Sequence, residues 1–350
     1  MNMAKNIAFK QETFRDDYTY SNSAEAIRRF PFPFAEDEYM YSVNIEQHDG
    51  GAPGSVFEHA IDIDEHYVAE CEDRRITLEK DPGRYIALPH MKDAQWDMVE
   101  LIMDSLSTDY PDLFQLSKDG DNWHWINKPL NIDQKFVFGD ESTLPMEPFE
   151  YVGRQVQGDW VVMDQRDDDL FADMGIITSQ ADWSLAFDAG MSFKEWHGPV
   201  PQANELGIFD RALKYLLHLQ YGSPVRRLNW TMTVNPRLDT SPEEYPLWGP
   251  DNVSVTADNV GQKVHLRVEL QALFRLPRSN AMAFSIRGYL ASIDDLKTYP
   301  RWAKRLRRVL TNLHPDLSEY KGLDSYRQLV IDYLAPMDDG ADLGLGTHPE

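Results

Sequence analysis

The 350-residue chain is 42% hydrophobic and 12% aromatic, enough apolar side chain to bury the core of one large domain or two smaller ones. Its 58 acidic and 34 basic side chains leave a formal charge of -24, so nucleic acid meets a repulsive field while a small cation is attracted. Cys71 is the single cysteine, which excludes an internal disulfide or an all-cysteine metal site within the chain and suits a reducing compartment.

In chain order, residues 1–60 are rich in aromatics and proline (RFPFPFAEDEYMYSVNI, 29–45) and end at the loop HDGGAPGS (48–55). Asp64 then offers a cap for a helix in which Tyr67, Cys71 and Leu78 recur at helical spacing, and Pro82-Gly83 stops it. A second helix starts near Asp93, with Trp96, Val99, Leu101, Ile102 and Leu106 as its buried stripe. The first third therefore reads as helical with irregular wrapping segments.

From about residue 147 the period becomes two, first in FEYVGRQV (149–156) and DWVVMDQ (159–165), later in VRRLNWTMTV (225–234), VHLRVELQALFRL (264–276) and AMAFSIRGYL (281–290). Between these groups lie a helical middle containing KEWHGPVP (194–201) and the amphipathic stretch ELGIFDRALKYLLHLQ (205–220). Ser292 with Asp295 opens a helix whose apolar face is Trp302, Leu306, Val309, Leu310 and Leu313; a last helix runs through SYRQLVIDYL (325–334), and the tail from 338 is expected to fray. The pattern predicts an α+β fold with an antiparallel sheet covered on one face. We divide it into a helical, wrapping region (1–145), a core (146–290) and C-terminal helices with a tail (291–350). No signal-peptide core and no run of about 18 apolar residues is present, so we expect a cytoplasmic protein.

Missing motifs remove whole classes of chemistry. There is no GxGxxG, phosphate loop, GxSxG elbow, HExxH or CxxCH, so reducing power must come from elsewhere and any haem must be held non-covalently. The cluster His59, Asp62, Asp64 and His66 has metal-ligating types, yet it reads better as a solvated edge and cap. Cys71 sits among acidic neighbours that disfavour a thiolate. Alternation places Arg226 on a greasy strand face with Leu228, Trp230 and Met232, and a buried arginine needs an anion. The opposite face, with Arg227, Asn229, Glu269 and Arg287, is either a wet surface or the floor of a polar cavity. The basic run Arg301, Lys304, Arg305, Arg307 and Arg308 is either the wet side of a helix or a dock for an acidic partner. His197, at a helix end made rigid by Gly198-Pro199, is open to metal ligation, proton transfer or a structural hydrogen bond.

The succession DWSLAFDAGMSFKEWHGPVP (182–201), PVRRLNWTM (224–232), VELQALFRLPRSNAMAFSIRGYL (268–290) and EYKGL (319–323), with FPFPFAEDEYMYSVNIE (30–46) and RYIALP (84–89), resembles the catalytic α-subunit of haem-dependent oxidative N-demethylases. That resemblance implies haem b in a PAS-like fold, with His197 at the position of the iron-binding histidine. It implies oxygen-dependent oxidation of a small secondary amine of the dimethylamine type to primary amine and formaldehyde. It also implies NADPH-dependent partner subunits carrying FMN and a 2Fe-2S cluster.

On this basis Leu228, Trp230 and Phe284 are expected to wall the haem, and Arg226 to meet a propionate or polarise oxygen. Arg275 and Arg278 are expected at the propionates, while Glu269 and Tyr289 are the amine-binding candidates by residue type. A haem PAS gas sensor without turnover is the alternative; a structural subunit and a metal enzyme using His59, Asp62 and His66 are more remote.

Overall fold

In the computed structural model, which describes residues 13–15, 19–198, 200 and 207–349, the main sheet draws its edges from the first third of the chain. Helix α1 (Ala24–Arg29) precedes the edge strand β1 (Glu46–Gln47), and α2 (Tyr67–Lys80) precedes the other edge, β2 (Tyr85–Ala87). After α3 (Lys92–Asp109) comes a separate three-stranded sheet of β3 (Phe114–Asp119), β4 (Asn122–Asn127) and β5 (Ile132–Val137). Helix α4 (Pro148–Gly153) leads to the hairpin β6 (Asp159–Arg166) and β7 (Asp169–Ile176). The short helices α5 (Leu185–Asp188) and α6 (Phe193–Trp196) and the longer α7 (Ile208–Leu217) follow. Strand β8 (Val225–Val234), α8 (Tyr245–Trp248), α9 (Val260–Lys263), β9 (Val264–Arg275) and β10 (Met282–Ser292) complete the sheet. The C-terminal helices are α10 (Ile293–Lys297), α11 (Pro300–Asn312), α12 (Pro315–Tyr320) and α13 (Arg327–Leu334).

The large sheet has the order β1-β8-β9-β10-β6-β7-β2, with antiparallel neighbours, so the chain is an α+β protein. Three expectations from periodicity are corrected. FEYVGRQV contributes α4, because Pro148 opens a helical turn and Phe149 and Val152, three apart, are buried together. The hairpin partner of β6 is β7, with β10 on its other side. Asp167 and Asp168 sit at φ 53° and 55°, the left-handed pair that a tight hairpin requires and aspartate tolerates. The first third also contains β3 to β5, where Trp123, Trp125 and Phe136 turn inward.

Both sheet faces are covered, and β9 is buried at every position. One face carries Trp230, Leu266, Val268 and Tyr289 against Trp302, Leu306 and Val309 of α11 and the other C-terminal helices. Further along, Trp160 and Phe274 on that face meet α2, α3 and the small sheet. The opposite face carries Val161, Met163, Leu273 and Met282 under α6 and α7. Each large apolar side chain so buried contributes about 1.5–3 kcal/mol, which outweighs the weak propensity of short helices such as α6.

The tail does not fray. Trp302 donates its indole N–H to Thr347 O at 2.8 Å, Arg305 donates to Gly344 O at 2.5 Å, and Asp338 accepts from Arg307 and Arg308. The basic face of α11 is thus partnered by the chain's own acidic end and by Asp37.

Candidate active site

Helix α6 is a single turn made definite by its start. Ser192 Oγ accepts from Glu195 N while Glu195 Oε2 accepts from Ser192 N, a reciprocal cap. The turn ends at His197, with φ −92° and ψ 1°. Nδ1 of His197 lies 2.8 Å from Phe193 O. A carbonyl cannot donate, so Nδ1 carries the proton and Nε2 keeps its lone pair. Burial, reinforced by nearby Arg227, pushes the imidazole down to about 4, although the bond to Phe193 opposes the shift. The ring is therefore neutral at physiological pH and flanked by Phe193, Phe209 and Trp196, with centroids 4.3, 4.6 and 5.2 Å away. A neutral imidazole oriented by a carbonyl through Nδ1 is the state needed for iron or zinc ligation.

His197 lines two neighbouring spaces that share Tyr41, Trp196, Arg227, Gln271 and Phe284. The inner one is apolar, lined by Val43, Ile45, Met163, Phe209, Leu216 and Leu273. The outer one, of about 430 Å³, is lined by Trp183, Phe187, Trp196, Phe284 and Ile286 together with polar groups. Trp183 and Trp196 stand 5.5 Å apart, and Trp196 meets Phe284 edge-on at 6.1 Å.

The polar floor is the β8–β9 face bearing Arg227, Asn229, Glu269 and Gln271, a cavity floor and not a wet surface, but Arg287, grouped with it by alternation, is set by the register on the other face with Asp64 and Glu70. Arg227 donates to Val43 O and Gln271 Oε1 at 2.6 and 2.7 Å. Lys321 is buried, donates to Trp230 O at 2.6 Å, and is pushed by burial down to about 7. Neither cation forms an ion pair with a carboxylate among the described residues. Glu269 is fixed as an acceptor by Gln271 at 2.9 Å and Asn229 at 3.3 Å. Asp182 lines the same space from a left-handed backbone position, φ 58°, with its N–H tied to Thr240 O. Sequence reading missed Arg227 as a site residue, and it missed Lys321 and Asp182 even though EYKGL and DWSLAF contain them.

The other candidates fall elsewhere. Arg226 points to the opposite face, where Glu46 pairs with it at 2.8 Å, Phe57 O accepts from it and the Phe57 ring stacks on it; strand alternation separates it from His197. The indole of Trp230 packs against Phe34 and Tyr39 in the C-terminal core, so this residue borders the cavity but is not the wall opposite His197. Leu228 likewise shares the C-terminal core. Phe284 does line the cavity. The register pairs it with Leu273, putting it on the polar-floor side and not with Trp230. The same register sends Tyr289 to the far side, where it donates to Asp62 at 2.6 Å. Arg275 closes the end of α7 by donating to Leu216 O and Leu219 O, and also reaches Gln165 and Asn280. Arg278 lies in the β9–β10 turn, paired with Asp97 and Glu100.

His59, Asp62, Asp64 and His66 do not converge. His59 pairs with Asp109, Asp62 with Arg29, and Asp64 with Arg287, while His66 stacks on Tyr20. His90, Asp164 and Asp173 do gather, and Arg166 already bridges both carboxylates. Burial pushes the Cys71 thiol up to about 12, leaving it inert at neutral pH. No helix among the described residues is long and apolar enough to cross a membrane. Residues 52–331, which include His197, the polar floor and Lys321, match the family described as haem-dependent oxidative N-demethylase, alpha subunit-like, an oxidoreductase family whose name implies further subunits. The match extends over most of the chain, and the protein belongs to that family.

Proposed function

We propose that this chain is the catalytic subunit of an oxidative N-demethylase that converts a small secondary amine of the dimethylamine type to the primary amine and formaldehyde. In this reading haem b sits beside His197, on the helical side of a PAS-like sheet. The observation that carries it is the His197 ring: neutral, oriented by Phe193, and with no partner for Nε2 among the described residues at an aromatic chamber. The remaining residues fit the group. Tyr41, Trp196, Phe209 and Phe284 offer flat apolar surface, and Arg227 and Lys321, without carboxylate partners, offer counter-charge for two propionates. Arg226, Arg275 and Arg278, already bound to other groups, do not take part.

Bound haem supplies the redox centre at which dioxygen is reduced and the amine oxidised. The chain's own groups do the rest. His197 would offer its Nε2 to the iron, and the aromatic rings would exclude water. Glu269, held in place by Asn229 and Gln271, gives the cavity the negative potential that draws an alkylammonium inward. One buried cysteine and no nucleotide motif leave electron supply to partner subunits, which we assign as NADPH-dependent and bearing FMN and a 2Fe-2S cluster.

The test is an absorption spectrum of protein expressed with adequate haem. A Soret band that shifts with dimethylamine, with formaldehyde released when an electron donor is added, is the expected result. His197→Gly should lose most of the haem, and added imidazole should restore it. Wild-type protein without haem would overturn the reading; haem that binds gases but ignores amines would make the chain a sensor.

A further inference from the structure

Among the carboxylates lining the cavity, Glu269 and Asp182 differ in what already holds them. Glu269 accepts from Gln271 and Asn229 and lies 3.6 Å from Arg267. Asp182 has no hydrogen-bond donor or ion-pair partner for its carboxylate among the described residues, although its backbone is firmly placed. Its N–H donates to Thr240 O at 3.0 Å, and the preceding residue, Ala181, bridges to Thr240. The left-handed φ of 58° is one that aspartate and asparagine adopt more readily than most residues. A strained but anchored backbone that presents an unused carboxylate to a cavity is a common device of binding sites. Trp183, next in sequence, and Tyr320 line the same space, and aromatic faces favour alkylated ammonium groups.

We infer that Asp182 is the carboxylate that docks the substrate's ammonium group, within a box completed by Trp183, Trp196 and Tyr320, whereas Glu269 only sets the potential of the cavity floor. The inference rests on the amine-oxidising role proposed above and assigns within it the atoms that recognise the substrate. The charged and titratable groups around Asp182 are Arg267 and Glu269 of β9, Arg227 of β8, Asp188 of α5, His197, and Tyr320, Lys321 and Tyr326 from the C-terminal helices. Asp182 is solvent-exposed at the cavity, yet the protein packed around its carboxyl desolvates it and, with Glu269 adding to this against Arg267, pushes it up to about 6. The group ionises as pH rises through that value, while dimethylammonium stays cationic, so docking should strengthen from pH 5 to pH 7.

The experiment is a calorimetric titration of dimethylammonium chloride into the wild type, Asp182→Asn and Glu269→Gln at pH 5, 6 and 7, with the Soret band read on the same samples. Asparagine tolerates the same backbone, and a matching thermal midpoint checks the fold. Asp182→Asn should weaken binding about tenfold or more at pH 7 and abolish the rise between pH 5 and 7. Glu269→Gln should keep that rise. Wild-type protein that binds no amine overturns the assignment, as does Asp182→Asn that binds with wild-type strength and pH dependence. Amine binding that depends on Asp182 in protein without a Soret band would remove the haem role and leave Asp182 as the ammonium site.

Discussion

Arg226 and Arg227 are adjacent on β8, and the pleat sends their guanidinium groups to opposite sides of the sheet. Arg226 pairs with Glu46 and stacks its flat face on Phe57, whereas Arg227 borders the His197 chamber among carbonyl, amide and Tyr41 hydroxyl acceptors, with no carboxylate partner among the described residues. Exchanging each for methionine should therefore separate their roles. Arg227→Met should weaken haem retention about tenfold or more, because the propionate contact proposed for Arg227 would lose a charge-assisted hydrogen bond. Arg226→Met should leave haem affinity unchanged and lower stability instead. Haem transfer to an excess of an apo-globin acceptor measures the first effect, and chemical denaturation the second.

At the scale of elements, α11 shows where the tail gets its order. The helix presents a row of arginines, and the acidic segment after α13 supplies the carboxylates and carbonyls they require. Arg308 and Arg307 hold the Asp338 carboxyl well below its ordinary range, so this contact is complete above the ordinary carboxylate value and is lost only as pH falls through the depressed one. Deleting residues 338–350 leaves the Trp302 indole N–H without its acceptor and removes the bond from Arg305 to Gly344 while Asp37 remains, at a cost on the order of 1–3 kcal/mol. The truncated chain should show a lower denaturation midpoint with little change in the absorption of bound haem, since α11 packs on the sheet face opposite His197.

For the whole molecule, burial has pushed several acids upward: Glu70 to about 7, Asp73 to about 6 and Glu244 to about 8. Their neutral forms are favoured in the folded state, so the folded protein binds more protons than the unfolded chain as pH rises past the ordinary carboxylate values. Stability must fall there. The half-buried His197, pushed down to about 4, acts oppositely, because between about 6.5 and 4 the unfolded chain binds a proton that the folded ring refuses, so stability falls as pH drops through that window. Above 6.5 the acids are opposed by Lys321, pushed down to about 7, whose neutral form in the fold raises stability with pH, but Glu70 and Glu244 together outweigh this one group, and repulsion within a chain of formal charge -24 works on their side. The thermal midpoint should thus decrease measurably between pH 6.5 and pH 8, and a flat or rising midpoint would contradict the burial of these acids.

Local chemistry determined much of this from sequence alone. Alternation in β8, β9 and β10 fixed which residues share a face within each strand, and Ser292 with Asp295 marked the start of α10 with both halves of a reciprocal cap in place. The dearth of cysteine and of nucleotide motifs bounded the chemistry, and the turn WHGPVP singled out His197, with Pro199 and Pro201 outside the described residues. Tertiary structure decided what periodicity cannot carry: the relation between strands and what lies over each face. The registers of β9 with β10 and β8 placed Phe284 with Glu269 and sent Tyr289 across the sheet, because a shift of one residue reverses every side chain. Polar residues at alternate positions look solvated in one dimension. Segments near 182, 242 and 320, remote in sequence, close over them and make that face the floor of a cavity, which brings Asp182 and Lys321 to His197.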